Sequence, residues 1–322
     1  MSKEVMERLQ NLPDEECVIV FDHVTKDYGN GRGIFDISFK IPKGCTFGYC
    51  GTNGAGKTTT LRHIMGFIKP DKGKVTVEGK NPWKEGESIK NRMGYLPGEI
   101  AFPPVESGSD FLKSQAELID LTDMSKAEKI INAMQLDPTA NLKRMSKGMK
   151  QKTAIVATFM HSPDIILLDE PTTGLDPLMR EAFIEIVMEE KARGATIMMS
   201  NHMFDELDET CDYVGFIKDG HLVDIVDMNE LHNRPYREFF IFFYEKEDLE
   251  KFKKTNFEIR GIDENLLGGL VKIDKNNAQK FLDFITTIKL KQLTELKYSL
   301  ERYFMENIGG KEYGINDAKE EK

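Results

Sequence analysis

Residues 51–59 read GTNGAGKTT, and the stretch from Gly51 to Thr58 has the spacing G-x-x-x-x-G-K-[ST]. Each residue type there has a chemical use. Gly51, Gly54 and Gly56 let the backbone turn tightly and aim its N–H groups inward, a geometry suited to phosphate oxygens. A helix starting near Lys57 adds the positive end of its dipole. The Lys57 ammonium can reach the β- and γ-phosphates, and the Thr58 hydroxyl is a hard oxygen ligand suited to Mg²⁺. Thr52, Asn53, Ala55 and Thr59 complete a stretch expected to hold a nucleotide.

Two further groups fit that chemistry. IILLDEP at 165–171 is a short apolar run ending in acids. Asp169 would stand at the carboxyl end of a buried strand, where a Mg²⁺-binding aspartate belongs. Glu170 places a second carboxylate beside it, able to act as general base or to orient water against a γ-phosphate. His202 follows another apolar run, ATIMMS at 195–200. At a strand end it can donate a hydrogen bond to the γ-phosphate, although a lone histidine is more often structural. The bland alternative for the acids is a strand that simply ends in solvated carboxylates.

These groups need strands that end together. CVIVFD (17–22), ISFKI (37–41), CTFGYC (45–50), VTVEG (75–79) and MGYLP (93–97) are expected strands, as are 164–171, 195–200 and 213–220. The segment from Phe111 to about Met160 has Leu, Ala and Met at helical spacing. Strands alternating with helices predict an α/β domain over 17–230, with a largely parallel sheet and ligands at its carboxyl edge. Residues 1–16 form an N-terminal extension, and about 100–160 a helical subdomain. HNRP (232–235) reads as a linker. Beyond it, 231–308 reads β-α-β-β-α-β, the order of a ferredoxin-like α+β domain. The polar end, 309–322, is expected to be disordered.

RMSKGMKQK at 144–152 is strongly basic in a chain of formal net charge −10. A solvated helix face, a nucleic-acid patch and a phosphate contact compete for it. The acidic balance argues against nucleic acid. No apolar run approaches the roughly 20 residues of a membrane span, and the charged N-terminus lacks a signal-peptide core. A cytoplasmic protein is expected, with any membrane spans supplied by a partner. The four cysteines, Cys17, Cys45, Cys50 and Cys211, lack metal-ligand spacing and read as free buried thiols.

Taken in order, these motifs resemble the ATP-binding subunit of an ABC transporter over about residues 17–230. The resemblance implies a P-loop ATPase with a mixed sheet core and a helical subdomain, using ATP and Mg²⁺. It implies that RMSKGMKQK carries the family's signature peptide, Leu-Ser-Gly-Gly-Gln falling on Met145, Ser146, Lys147, Gly148 and Met149. In the family that peptide meets the γ-phosphate held by the opposite subunit. Ser146 is a good N-cap and Gly148 permits close approach, whereas Lys147 and Met149 depart from the pattern. A charge at Lys147 held near phosphate in a closed interface would gain on the order of 4 kcal/mol before desolvation. The adenine-stacking aromatic falls on Tyr28, the loop aspartate near the subunit interface on Asp176, the catalytic glutamate on Glu170 and the switch histidine on His202. The family's glutamine after the strand Gly94-Tyr95-Leu96 falls on Gly98, which has no side chain. Two readings of the neighbouring Glu99 stand: a substitute contacting Mg²⁺ through water or a permease helix, and a plain surface residue.

One phosphate loop and one signature peptide per chain imply a homodimer. YLPGE together with SKGM resembles the drug and antibiotic export branch, which implies a separate transmembrane permease and a location on the inner face of the cell membrane. The alternative function is an ATP-gated regulatory or resistance module with little hydrolysis. A different phosphate-loop enzyme, such as a small-molecule kinase, would leave the Ser-Gly peptide without a role.

Overall fold

The computed structural model describes residues 2–309, so the expectation for the polar tail lies almost wholly outside the described residues. The chain divides into two compact units, Met1–Asp227 and Met228–Lys322.

The first unit is built on a six-stranded sheet ordered β5-β6-β7-β3-β8-β9. Its strands are β3 (Thr46–Cys50), β5 (Met93–Leu96), β6 (Ile165–Asp169), β7 (Thr196–Asn201), β8 (Tyr213–Lys218) and β9 (His221–Asp227). All neighbours are parallel except the β8–β9 hairpin. β3, β6 and β7 are buried at every residue. That explains their unbroken apolar runs, since a central parallel strand is covered on both faces.

β1 (Cys17–Asp27), β2 (Gly33–Pro42) and β4 (Lys72–Val77) do not join that sheet. They form a separate antiparallel one, ordered β2-β1-β4. A parallel pair needs a crossover of a dozen or more residues, and between β1 and β2 there is only a tight turn, in which Tyr28 N–H donates to Arg32 O at 2.8 Å. The antiparallel sheet shares one core with β3, through Phe39 stacked between Phe21 and Phe47. The N-terminal helix α1 (Ser2–Gln10) buries Val5 and Leu9 in that same core.

The helix α2 (Lys57–Ile64) follows β3, and the short helices α3 (Pro82–Glu85) and α4 (Glu87–Lys90) precede β5. The segment expected to be helical up to Met160 is three helices: α5 (Gly108–Leu118), α6 (Ser125–Ala133) and α7 (Lys147–Phe159). Two of the three helices open on side-chain caps, and α6 has none. Ser107 opens α5 with a capping box to Asp110, and Ser146 caps α7. α8 (Pro177–Arg193) and α9 (Phe204–Thr210) flank β7 in sequence.

The second unit begins with α10 (Met228–His232) and contains β10 (Tyr236–Phe243), α11 (Lys246–Lys253), β11 (Glu258–Asp263), β12 (Gly268–Asp274), α12 (Ala278–Thr286), β13 (Leu290–Leu296) and α13 (Leu300–Asn307). Its antiparallel sheet runs β11-β12-β10-β13, the order of a split βαβ fold. Ile241, Phe243, Leu249, Phe252, Val271, Ile273 and Phe281 fill its core.

Candidate nucleotide site

Sheet register gathers the chemistry. Cys50, last in β3, pairs with Asn201 of β7, and Asp169, last in β6, pairs with Ser200 of β7. The loops after β3, β6 and β7 therefore open side by side at one edge. Leu96 of β5 pairs with Leu168, which brings Gly98 to the same edge.

The glycine loop is tightly built. A Cβ on Gly51 would lie 2.3 Å from Ile217 O, so the backbone passes too close for a side chain. Gly56, at φ +114°, turns the chain into α2 through a region that suits glycine. Thr52, Asn53 and Gly54 are exposed at the loop's outer face, and Ala55 is buried beneath it. Lys57 is buried, and its Nζ donates to Gly51 O at 2.7 Å.

Three groups converge on the end of β6. Thr58 Oγ1 donates to Asp169 Oδ2 at 2.7 Å, joining residues 111 apart in sequence. Glu170 turns the chain at φ +49°, a left-handed conformation that costs a glutamate on the order of 1–3 kcal/mol. Its N–H donates to Ser200 O at 3.0 Å, which holds the turn. Glu170 Oε1 then lies 3.6 Å from Lys57 Nζ and 3.8 Å from His202 Nδ1. His202 itself remains largely exposed. The geometry thus brings Lys57, Thr58, Asp169, Glu170 and His202 together.

Gly98 stands beside them, for a Cβ there would lie 3.4 Å from Asp169 Oδ2. A Cβ there would make ordinary contact with Asp169, and this sequence places none. Glu99 is exposed and joins none of the contacts around Asp169.

Ser146 is the N-cap of α7, its Oγ accepting from Met149 N–H at 3.2 Å. Lys147 is exposed, with its stem laid over Gly174: a Cβ on Gly174 would lie 3.3 Å from Lys147 Cδ. Gly148 faces the same loop, and a Cβ there would come within 2.8 Å of Gly174 O. Asp176 is exposed and caps α8 by accepting from Met179 N–H at 3.1 Å. Tyr28 is half exposed in the β1–β2 turn, with Lys26 Nζ 5.9 Å from its ring centroid. Among the described residues, no hydrogen bond or ion pair joins Tyr28, Ser146, Lys147, Gly148 or Asp176 to Lys57, Asp169 or Glu170.

Several participants were not legible in the sequence. Ser200 Oγ donates to Asp169 Oδ1 at 2.5 Å. Gln151, buried on α7, donates to Pro171 O at 2.6 Å. Thr172 Oγ1 donates to Glu206 Oε2 at 2.8 Å, and Asn201 Nδ2 donates to the same oxygen. The available signal was weak: Ser200 and Asn201 are polar residues closing a strand that is otherwise apolar.

A helix N-terminus, a glycine loop and a Thr–Asp pair at a parallel-sheet edge define a nucleotide-hydrolysing domain. Comparison with known proteins identifies which one. The ABC transporter family matches residues 34–173. The bacitracin transport ATP-binding protein BcrA of Bacillus licheniformis is 30% identical over 305 residues, covering 91% of this chain and 98% of BcrA. The linearmycin resistance ATP-binding protein LnrL of Bacillus subtilis is 33% identical over 218 residues, covering 66% of this chain and 70% of LnrL. The ABC transporter ATP-binding protein YtrB of the same species is 28% identical over 300 residues, covering 91% of this chain and 99% of YtrB. Among solved structures, an ATP-binding subunit of an ABC transporter superposes with a TM-score of 0.61 at 26% identity, covering 67% of this chain and 92% of that one. The dimeric ATP-binding cassette MJ0796 bound to ADP and Pi shares the fold, with a TM-score of 0.59 at 20% identity, covering 65% of this chain and 98% of that one. The chain belongs to the ABC transporter ATP-binding family. It is an ATP-binding and ATP-hydrolysing subunit that energises transport through a separate permease.

Proposed function

We propose that two copies of this chain close around ATP and drive export of an antibiotic-like or other small compound. The observation that carries the reading is the cluster in which Thr58 meets Asp169 at 2.7 Å while Glu170 lies between Lys57 and His202. The glycine loop and the N-terminus of α2 receive the phosphates, and Lys57 neutralises their charge. Thr58 and Asp169 offer the hard, adjacent oxygens that Mg²⁺ needs. A metal held by Thr58 and Asp169 would supply positive charge against the phosphates. Glu170 orients the attacking water and takes its proton, and His202 donates to the γ-phosphate. Tyr28 stacks on adenine. Glu99 is proposed only as a contact reaching the metal through water or meeting the permease.

Ser146, Lys147 and Gly148 lie apart from the chain's own phosphate loop cluster, which supports a role in trans. They would complete the site of a second copy, with Asp176 at the interface. Loss of the γ-phosphate would release the dimer. No described helix is long and apolar enough to cross a membrane. In this reading a separate permease supplies the spans, and the subunit sits on the inner, cytoplasmic face. A groove of about 210 Å³ beside Gly98, lined by Tyr95, Pro97, Phe102, Phe111 and Ile119, suits a docking permease helix. The names of BcrA and LnrL support an antibiotic or drug as cargo. The C-terminal unit is read as a dimerisation or regulatory addition; the BcrA alignment, longer than the first unit, extends into it.

ATP turnover and size-exclusion chromatography of the purified protein test this. Glu170→Gln should bind ATP, turn over at a small fraction of the parent rate and elute as an ATP-dependent dimer. A variant that hydrolyses normally removes Glu170 as the base. The bare Gly98 favours a second reading, an ATP-gated module. Parent turnover no higher than that of Glu170→Gln would establish it.

A further inference from the structure

We propose that Glu206 is a positioning residue for turnover: it ties the loop after Asp169-Glu170 to the loop bearing His202, so that both γ-phosphate-facing groups are held in one register. Glu206 lies on α9 and is only 4% exposed. One carboxylate oxygen, Oε2, accepts from Thr172 Oγ1 at 2.8 Å and also from Asn201 Nδ2. Asn201 passes the constraint on. Its Oδ1 accepts the backbone N–H of His202 at 2.7 Å and of Met203 at 3.0 Å. Thr172 follows Pro171, whose carbonyl is held by Gln151 of the signature helix α7 at 2.6 Å. A continuous hydrogen-bonded path therefore runs from the signature helix through Pro171-Thr172 and Glu206 to His202.

Placement argues against a role confined to stability. A buried carboxyl is costly to retain where apolar packing would serve. Its Oε1 makes no hydrogen bond among the described residues. Burial pushes the carboxyl above the ordinary glutamate range, against the bonds from Thr172 and Asn201 and the charges of Arg180 and His202. What the group gains is a fixed junction between two loops whose strands, β6 and β7, are neighbours in the sheet. Misplacing a reacting group by about 1 Å can cost on the order of 100-fold in rate.

The inference rests on His202 acting at the γ-phosphate, so His202→Ala is assayed beside it. Four variants of the full chain, Glu206→Leu, Glu206→Gln, Thr172→Val and Thr172→Val/Glu206→Leu, are compared for kcat, KM for ATP and melting temperature. Glu206→Leu should lower kcat roughly 10–100-fold with KM changed less than about twofold. Glu206→Gln, which keeps an acceptor oxygen, should recover most of the rate. Thr172→Val should lower kcat in the same direction, and the double variant should lose no more than Glu206→Leu alone. Unchanged kcat in folded Thr172→Val or Glu206→Leu, or losses that simply multiply in the double variant, overturns the coupling. Should Glu206→Leu not fold, Thr172→Val and Glu206→Gln still decide, since a rate loss in Thr172→Val without one in Glu206→Gln is required. Normal turnover in His202→Ala would instead sink the histidine's assignment. Loss there with none in the Glu206 and Thr172 variants sinks only the coupling.

Discussion

Asp169 is held through both carboxylate oxygens, by Thr58 on one and Ser200 on the other. That arrangement fixes its rotamer toward the phosphate loop. Outer partners of a metal-binding carboxylate are commonly worth 10–100-fold in metal affinity. On the proposed Mg²⁺ role of Asp169, Ser200→Ala should raise the Mg²⁺ concentration needed for half-maximal ATP turnover by roughly 10–100-fold, with little change in melting temperature. A titration with an unchanged midpoint would show that Thr58 alone positions the aspartate. Thr58 and Asp169 were legible because their motifs carry chemistry within a few residues. Ser200 was not, since its role exists only once β6 and β7 lie side by side.

At the scale of elements, the strands were readable and their grouping was not. The buried runs of β3, β6 and β7 announce central parallel strands. The short β1–β2 turn marks that pair as antiparallel, but nothing local reveals that β4 joins them in a sheet of their own, because an extended apolar run has the same appearance in either. Within 108–159, α5 and α7 start at caps on Ser107 and Ser146, a finer signal than apolar spacing. α9 adds a titratable element. Burial raises the Glu206 carboxyl above its unfolded value of 4.5. Above that pH the folded protein binds more protons there than the unfolded chain, so this contribution is full below 4.5 and fades as pH rises through the folded value. Melting temperatures from about pH 5 to pH 8 should fall more steeply for the parent than for Glu206→Gln. Parallel curves would contradict the assignment.

At the scale of the whole molecule, each unit carries its own core. In the second, Arg302 of α13 pairs with Glu238 of β10 at 2.5 Å, and both side chains are under 10% exposed. Arg302→Met leaves that carboxylate uncompensated and should cost about 3–5 kcal/mol in denaturant unfolding, with much of it regained in Glu238→Gln/Arg302→Met. In the first unit, Cys17, Cys45, Cys50 and Cys211 are all buried. Burial pushes the Cys50 and Cys211 thiols up to about 12 and Cys45 well above its usual range. A disulfide reagent at mildly alkaline pH should find no rapidly reacting thiol in the native protein and four after denaturation. The sequence by itself determined the glycine loop, the acidic end of β6 and the βαββαβ order of the second unit. Each of these is set by residue type at short spacing, which backbone geometry translates directly. Only the tertiary structure decided that Glu170 lies between Lys57 and His202, that Gly98 stands against Asp169, and that Glu206 joins two loops. Those relations depend on which strands become neighbours, and hydrogen-bond partners more than thirty residues apart follow from sheet order and not from any local pattern.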